Sequence, residues 1–482
     1  MNSRIKELLS NTLLFAIANM GSKILVFLMI PLYTAVLSTE EYGISDMVQT
    51  TAQMLFPILT CMIADAILRF CFIKNVDRRK LFSTGLRVTL WGFVISLFIT
   101  AGLYFLPMFD SIGGYILFVP IMLCNQGLMN LMHKFARGID NVKVSVSGGL
   151  LSSFMVVVLN LFFLLVLRLG VMGFLLSYTI ADIFAISYMA IKCSVWDYWT
   201  RISDAKLQKE MIVFSMPLVS NQISWWALSS VNRYVMLAWL GVSAVGIYSA
   251  TLRIPSILTV LCDIFAQAWL LSALKDYGTD ESKRYIKSMH RKYFSMLILL
   301  TGMIILLSYV LASVLLSGEF VSYWWVTPYL FISVFLGALA GFLGSIFSSE
   351  RKNIMQFVST LIGAIVSILL TVLFLKQYGV IVVAISTMIG YYIIWLIRRV
   401  AVNKYLNIGV SPISTTMQVI LLVVESVFVG KGAYLWAMLC FAILTVLNFS
   451  EIVSIVRFAI RELNHYIPVS YTHLRAHETR GN

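Results

Sequence analysis

Residues 37–44 read LSTEEYGI, and residues 240–247 read LGVSAVGI. Each stretch joins one long apolar run to the next, with Leu37 and Gly43 six apart in the first and Leu240 and Gly246 six apart in the second. A second correspondence lies further on. In LRLGVMGFLLS (167–177) and LKQYGVIVVAIS (375–386), Gly170-Val171 and Ser177 answer Gly379-Val380 and Ser386. The offsets are 203 and 209 residues, so one structural unit occurs twice in the chain.

The unit is built of membrane spans. Of 482 residues, 60% are hydrophobic and 12% charged, and apolar runs long enough to cross ~30 Å of hydrocarbon recur from end to end. The runs are continuous, which excludes a β-barrel with its short alternating segments. The reading is an all-α polytopic membrane protein with about fourteen transmembrane helices, at 11–37, 43–72, 81–106, 115–137, 144–167, 171–191, 211–239, 245–272, 294–316, 328–348, 354–375, 379–397, 411–429 and 433–456. The first apolar run is too long for a signal peptide and no small-residue cleavage site follows, so it is read as the first span. With these spans, 26 of the 36 Lys and Arg residues fall on the N-terminal side of the membrane and three (Arg168, Lys376, Lys431) on the other, which predicts a cytoplasmic N-terminus.

Six is even, so each repeat enters and leaves on the same side. The two are therefore parallel, related by an axis along the membrane normal. The expected domains are an N-terminal six-helix bundle (1–195), a C-terminal six-helix bundle (196–404), two further helices (405–460) and a tail (461–482). Two such bundles facing each other enclose a central cavity, the architecture of alternating-access transport. In the tail, YTHLRAHETR resembles translated adapter sequence, so residues 468–482 are expected to be non-native, with the natural C-terminus missing.

Composition excludes several functions. The net charge of +14 follows from topology and attraction to anionic lipid headgroups, and nucleic-acid binding is not expected. Six cysteines without paired spacing read as small buried residues, and no metal or cofactor is expected; His473 and His477 are one helical turn apart but fall in the foreign-looking tail. There is no phosphate-binding G-x-x-x-x-G-K-[ST] motif, no nucleophile–base–orienter set, and no extramembrane loop large enough for an acceptor. An enzyme is not expected.

Charges inside the spans need a reason, because each is costly in hydrocarbon. Lys23 and Arg253 lie roughly 18 and 12 Å from the starts of their spans at 1.5 Å per residue, too deep to reach the headgroups easily. They face either a polar cavity or an internal partner such as Asp182. Asp65 and Arg69, four apart on one helix face, have the spacing of a local salt bridge, with Arg69 otherwise a cavity charge. Arg233 stands at a cavity rim or among headgroups, and Arg87 reaches the headgroups. Asp182, Asp263 and Asp65, with Asp46 and Glu425, are candidates for proton or sodium coupling. In the seventh span Asn221, Trp225, Ser229 and Asn232 recur at helical spacing, a stripe of amides and indole suited to a sugar or to helix packing. Pro31, Pro57, Pro120, Pro217 and Pro255 can bend their spans, and Pro255, two residues after Arg253, marks that helix as a mover.

The opening NTLLFAIANMGSKILVFLMIPLYTAVLSTEEYGISDMVQ, AILRF (66–70), the seventh and eighth spans SMPLVSNQISWWALSSVNRYVMLAWLGVSAVGIYSATLRI (215–254) and FAQAWL (265–270) resemble the polysaccharide-synthesis flippases of the multidrug/oligosaccharidyl-lipid/polysaccharide exporter superfamily. The resemblance covers roughly residues 8–455, with one departure at VNR (231–233), where many relatives have Asp-Arg. It implies a carrier of lipid-diphosphate-linked oligosaccharide, undecaprenyl in type, across the bacterial inner membrane for O-antigen, capsule or exopolysaccharide synthesis. A glycan polymerase and glycosyltransferases would be its partners. In the related lipid II flippases cavity arginines of the first and eighth spans serve the substrate diphosphate, and Lys23 and Arg253 look like their counterparts. Cationic side chains facing the cavity would offset the desolvation of such a headgroup. Two alternatives stand beside this reading. One is a cation-coupled multidrug antiporter of the same superfamily, against which Lys23 argues by repelling cationic drugs. The other is a non-transporting component of a glycan-assembly complex.

Overall fold

The computed structural model describes residues 21–454 and 457, apart from 22–23, 26, 74–75, 203, 274–279, 350–352, 405–407 and 409. The chain is helical throughout, in the order α1 (Ile30–Val36), α2 (Thr39–Leu59), α3 (Ile63–Phe70), α4 (Arg78–Tyr104), α5 (Phe118–Gly138), α6 (Val142–Asn160), α7 (Gly170–Lys192), α8 (Ala205–Leu240), α9 (Val242–Arg253), α10 (Ser256–Ala273), α11 (Asp280–Leu306), α12 (Ser308–Leu315), α13 (Thr327–Ser349), α14 (Asn353–Tyr378), α15 (Ile381–Asn403), α16 (Pro412–Gly430) and α17 (Tyr434–Leu447). Nine described helices are long and apolar enough to cross a membrane, or eleven if each bent pair is one span. Of the three other expected spans, the first lies partly outside the described residues, α8 carries the polar stripe, and α17 is a shorter apolar helix of 14 residues.

The two bent pairs are the second span of each repeat. Helices α2 and α3 meet at 51°, and α9 and α10 at 47°. In the first, Pro57 removes a backbone donor near the end of α2, and Cys61 and Met62 then adopt left-handed backbone with φ of 49° each, so the helix restarts in a new direction. In the second the break falls at Ile254–Pro255, directly after Arg253, as the proline predicted.

The repeat-related turns are shaped locally, and at the first echo differently: Gly241 enters α9 at φ +83° with no side-chain cap, where Ser38 caps its helix. Ser38 caps α2 reciprocally with Glu41: the Glu41 amide donates to Ser38 Oγ at 3.1 Å, and the Ser38 amide donates to Glu41 Oε2 at 2.9 Å. Gly170 and Gly379, paired by the second offset, both take positive φ, +54° and +70°, where an L side chain would be strained.

Packing follows the repeats. Helices α2 to α7 pack against one another, as do α8 with α14 and α13 to α15 among themselves, while α16 and α17 lie on α11. The halves meet most closely where α2 lies along α9. Gly43 and Gly246 are paired there by the 203-residue offset, and a β-carbon on either would run into the other helix's backbone, at the carbonyl of Val242 or of Thr39. Outside the spans, Lys80 bridges to Asp204 at 3.2 Å, linking the starts of α4 and α8. The Leu207 amide and then Lys80 hold the Asp204 carboxyl below its ordinary range.

Candidate substrate-binding cavities

Among the described residues, a cavity opens in each half. The C-terminal one, about 540 Å³, is aromatic and includes Trp225, Tyr248, Phe265, Tyr293, Phe342 and Tyr391 in its wall. Phe265 stacks on Tyr293 with ring centroids 3.9 Å apart. The N-terminal one, about 370 Å³, is polar, lined by Gln49, Gln53, Gln126, Asn130, Tyr178 and Asp182 among others.

Arg253 itself is in the wall of neither cavity. Its chain neighbour Leu252 lines the C-terminal cavity, and its guanidinium pairs with the Tyr42 hydroxyl in the field of Tyr178, which lines the N-terminal cavity. Asp46 is the nearby acid. Lys23, expected to act with it, lies outside the described residues.

Arg233 is committed to the contact between the halves. Its Nη1 lies 3.5 Å from Asp46 Oδ2 and donates to Thr50 Oγ1 at 2.9 Å, while Ser249 Oγ donates to the same Asp46 oxygen at 2.7 Å. Trp226 Nε1 donates to the Thr50 carbonyl at 3.2 Å, and the Thr51 and Tyr234 hydroxyls are 2.9 Å apart. A cation, a carboxylate and five neutral polar side chains therefore tie α2 to α8 and α9.

Arg69 and Asp65 do not form the local bridge their spacing suggested. Asp65 Oδ1 accepts from Lys134 Nζ of α5 at 2.6 Å, and the exposed Arg69 lies over the Phe214 ring of α8 at 4.4 Å. The short helix α3 packs against both α5 and α8, and the two side chains find partners on different neighbours. Arg87 reaches the linker before α8, where its Nη2 donates to the Thr200 carbonyl at 2.6 Å.

The remaining candidates divide between the cavities. Asp182 lines the N-terminal one, its Oδ1 accepting from Ser152 Oγ at 2.8 Å, and Asp263 lines the C-terminal one. The stripe of α8 splits: Trp225 and Ser229 line the C-terminal cavity, Asn221 is exposed, and Asn232 is buried, donating to Ser367 Oγ at 2.9 Å in the packing of α8 on α14. Sequence reasoning passed over the amides of the N-terminal cavity, although Gln49 and Gln53, and Gln126 and Asn130, recur at i, i+4 within apolar spans.

A family profile described as "Polysaccharide biosynthesis protein" matches residues 8–271. A search of curated proteins found no match. Among solved structures, the fold is similar to that of lipid II flippase MurJ in an inward closed conformation, with a TM-score of 0.69 and 15% identity over 92% of this chain and all of that one. It is similar also to a multidrug resistance MATE family transporter of the MOP superfamily. The TM-score is 0.62 to the inward-facing conformation (14% identity, 84% of this chain and 94% of that one) and 0.53 to the outward-facing one (14% identity, 83% and 96%). These likenesses establish the fold: an all-helical, multi-pass membrane protein of the MOP type.

Proposed function

Because this chain belongs to the polysaccharide biosynthesis protein family, we propose that it flips a lipid-diphosphate-linked oligosaccharide from the inner to the outer leaflet of a bacterial inner membrane. Transport proceeds by alternating access of the two halves, with the N-terminus cytoplasmic. Arg253 is the observation that carries this reading: a cation at the bend of a broken span, one residue from the wall of the C-terminal cavity. A diphosphate needs such a group, because an unpaired anion is expensive to bring into a low-dielectric passage.

Lys23 is the second diphosphate ligand in this proposal, and Arg233 is a gating residue held by Asp46. Asp182 and Asp263, the carboxylates that line the cavities, serve ion coupling better than Asp65, which Lys134 already neutralises. The contact of α2 with α9 closes the face that the charge distribution assigns to the outside, and bending at Pro255 opens it.

The test is Arg253→Glu in cells. Lipid-linked units should accumulate on the inner leaflet while the protein inserts normally. Unchanged surface polysaccharide would reject the role given to Arg253.

A further inference from the structure

The N-terminal cavity has a chemistry that diphosphate binding does not use. Gln49 and Gln53 stand one turn apart on α2, and Gln126 and Asn130 one turn apart on α5, and all four line the same space. Among the described residues none of these four carboxamides hydrogen-bonds to the protein. A fifth, Asn125, is structural, donating to the Thr179 carbonyl at 3.1 Å. Thr179 lines the cavity as well, and its hydroxyl is buried with no partner among the described residues. Each carboxamide offers two donors and two acceptor lone pairs, so this wall calls for a polar, uncharged occupant.

The charges narrow the class. Among the described residues no Lys or Arg lines the cavity: Lys134, next to it on α5, is turned to Asp65 at 2.6 Å. Its carboxylate is Asp182, and His133 is engaged through Nδ1 with Ser145 Oγ at 3.0 Å. An acidic sugar would meet the like charge of the Asp182 carboxylate inside the cavity. The volume of about 370 Å³ is near the lower end of the 300–1,000 Å³ usual for small-ligand sites, enough for one sugar ring or two and no long glycan. Tyr178 joins this cavity to Arg253.

We propose, resting on the flippase reading above, that the N-terminal cavity is a specificity pocket for an uncharged sugar next to the diphosphate, recognised through Gln49, Gln53, Gln126 and Asn130. The unit carried begins with a hydroxyl- or acetamido-bearing neutral sugar and not with a uronic acid.

Equilibrium binding to the purified full-length protein tests this with three short-chain prenyl diphosphates: one without sugar, one bearing an N-acetylhexosamine and one bearing a hexuronic acid. The neutral-sugar probe should bind tightest. Gln126→Ala and Asn130→Ala should each weaken it by roughly tenfold, about one hydrogen bond's worth, while leaving the sugarless probe unchanged. Asp182→Asn, an isosteric gain-of-binding variant that misfolding cannot mimic, should tighten the uronic-acid probe. Sugarless binding that depends on Arg253, with no preference for the neutral sugar and no effect of the amide variants, overturns the pocket and leaves the flippase standing. Failure of the wild type to bind any of the three overturns both.

Discussion

Asp46 and Ser249 join the two halves across the repeat: the Ser249 hydroxyl donates to Asp46 Oδ2 at 2.7 Å, and the residues stand 203 positions apart, the offset that relates Gly43 to Gly246. Equivalent positions of the two units therefore meet near the axis, and the chain has placed an acid in one and a hydroxyl in the other. The asymmetry lets one carboxylate take Ser249 and Arg233 together, where two acids would repel.

Removing that acid strands a buried cation. The Asp46 and Arg233 side chains are 6% and 12% exposed, so Asp46→Ala should destabilise the protein by about 3–5 kcal/mol, the range for breaking a buried pair from one side. The double variant Asp46→Ala, Arg233→Ala should cost less than the two singles together, by about 0.5–3 kcal/mol. Denaturant unfolding in detergent measures the cycle; strict additivity would mean that the pair is incidental.

The glycine contact makes a conformational prediction. Gly43→Ala or Gly246→Ala drives a methyl into the backbone of the opposing helix, where no side chain can rotate away. Overpacking of this kind costs about 1–3 kcal/mol, charged here to the one conformation in which α2 and α9 touch. Either variant should fold, exchange amide hydrogens faster over 38–46 and 241–249, and transport more slowly. Unchanged exchange there would show that the contact does not gate.

Asp65 should behave as a structural residue. Its bond to Lys134, at 2.6 Å between side chains only 22–23% exposed, is charge-assisted, and Asp65→Asn should lower stability by about 1.5–3 kcal/mol. Arg69→Ala, which removes an exposed cation from the face of Phe214, should cost about 0.5–1 kcal/mol. The opposite ranking in thermal melts would restore the local pairing that the i, i+4 spacing suggested.

What the sequence made legible was whatever is written locally or periodically. Apolar runs marked the spans, two short echoes gave the repeat, and that offset then located the helix pair that touches, through Gly43 and Gly246. Pro255 marked its bend. Partner choice was illegible wherever it depends on rotation about a helix axis. Asp65 has Arg69 one turn away yet takes Lys134, 69 residues on, because α3 packs against both α5 and α8 and each side chain finds its partner on a different neighbour. Likewise the amide cavity draws on α2, α5 and α7, and no single span announces it, whereas the conspicuous stripe of α8 is divided between a cavity and a packing surface.

Arg398 shows how a cation can be structural deep inside such a protein. Fully buried on α15, it donates from Nε to Ser359 Oγ at 2.9 Å and from Nη1 to the Ala340 carbonyl at 2.7 Å. Its Nη2 donates to the Gln356 carbonyl at 3.1 Å and to Thr360 Oγ1 at 2.9 Å. All four acceptors are neutral and belong to α13 and α14, so the guanidinium works as a fork that fixes three helices, and with them the wall of the C-terminal cavity formed by Gly341, Ser345 and Gln356. If geometry is what matters, Arg398→Lys, which keeps the charge but loses the planar fork, should destabilise by about 2–5 kcal/mol. Gly344→Ala should act on the same joint, since a β-carbon there would lie 2.7 Å from Arg398 Nη1 and 3.0 Å from Gln356 Nε2. Because both variants disturb one set of bonds, their combination should cost less than their sum. A lysine variant that unfolds at the wild-type denaturant concentration would mean that charge alone suffices, and that the fork does not hold the cavity wall.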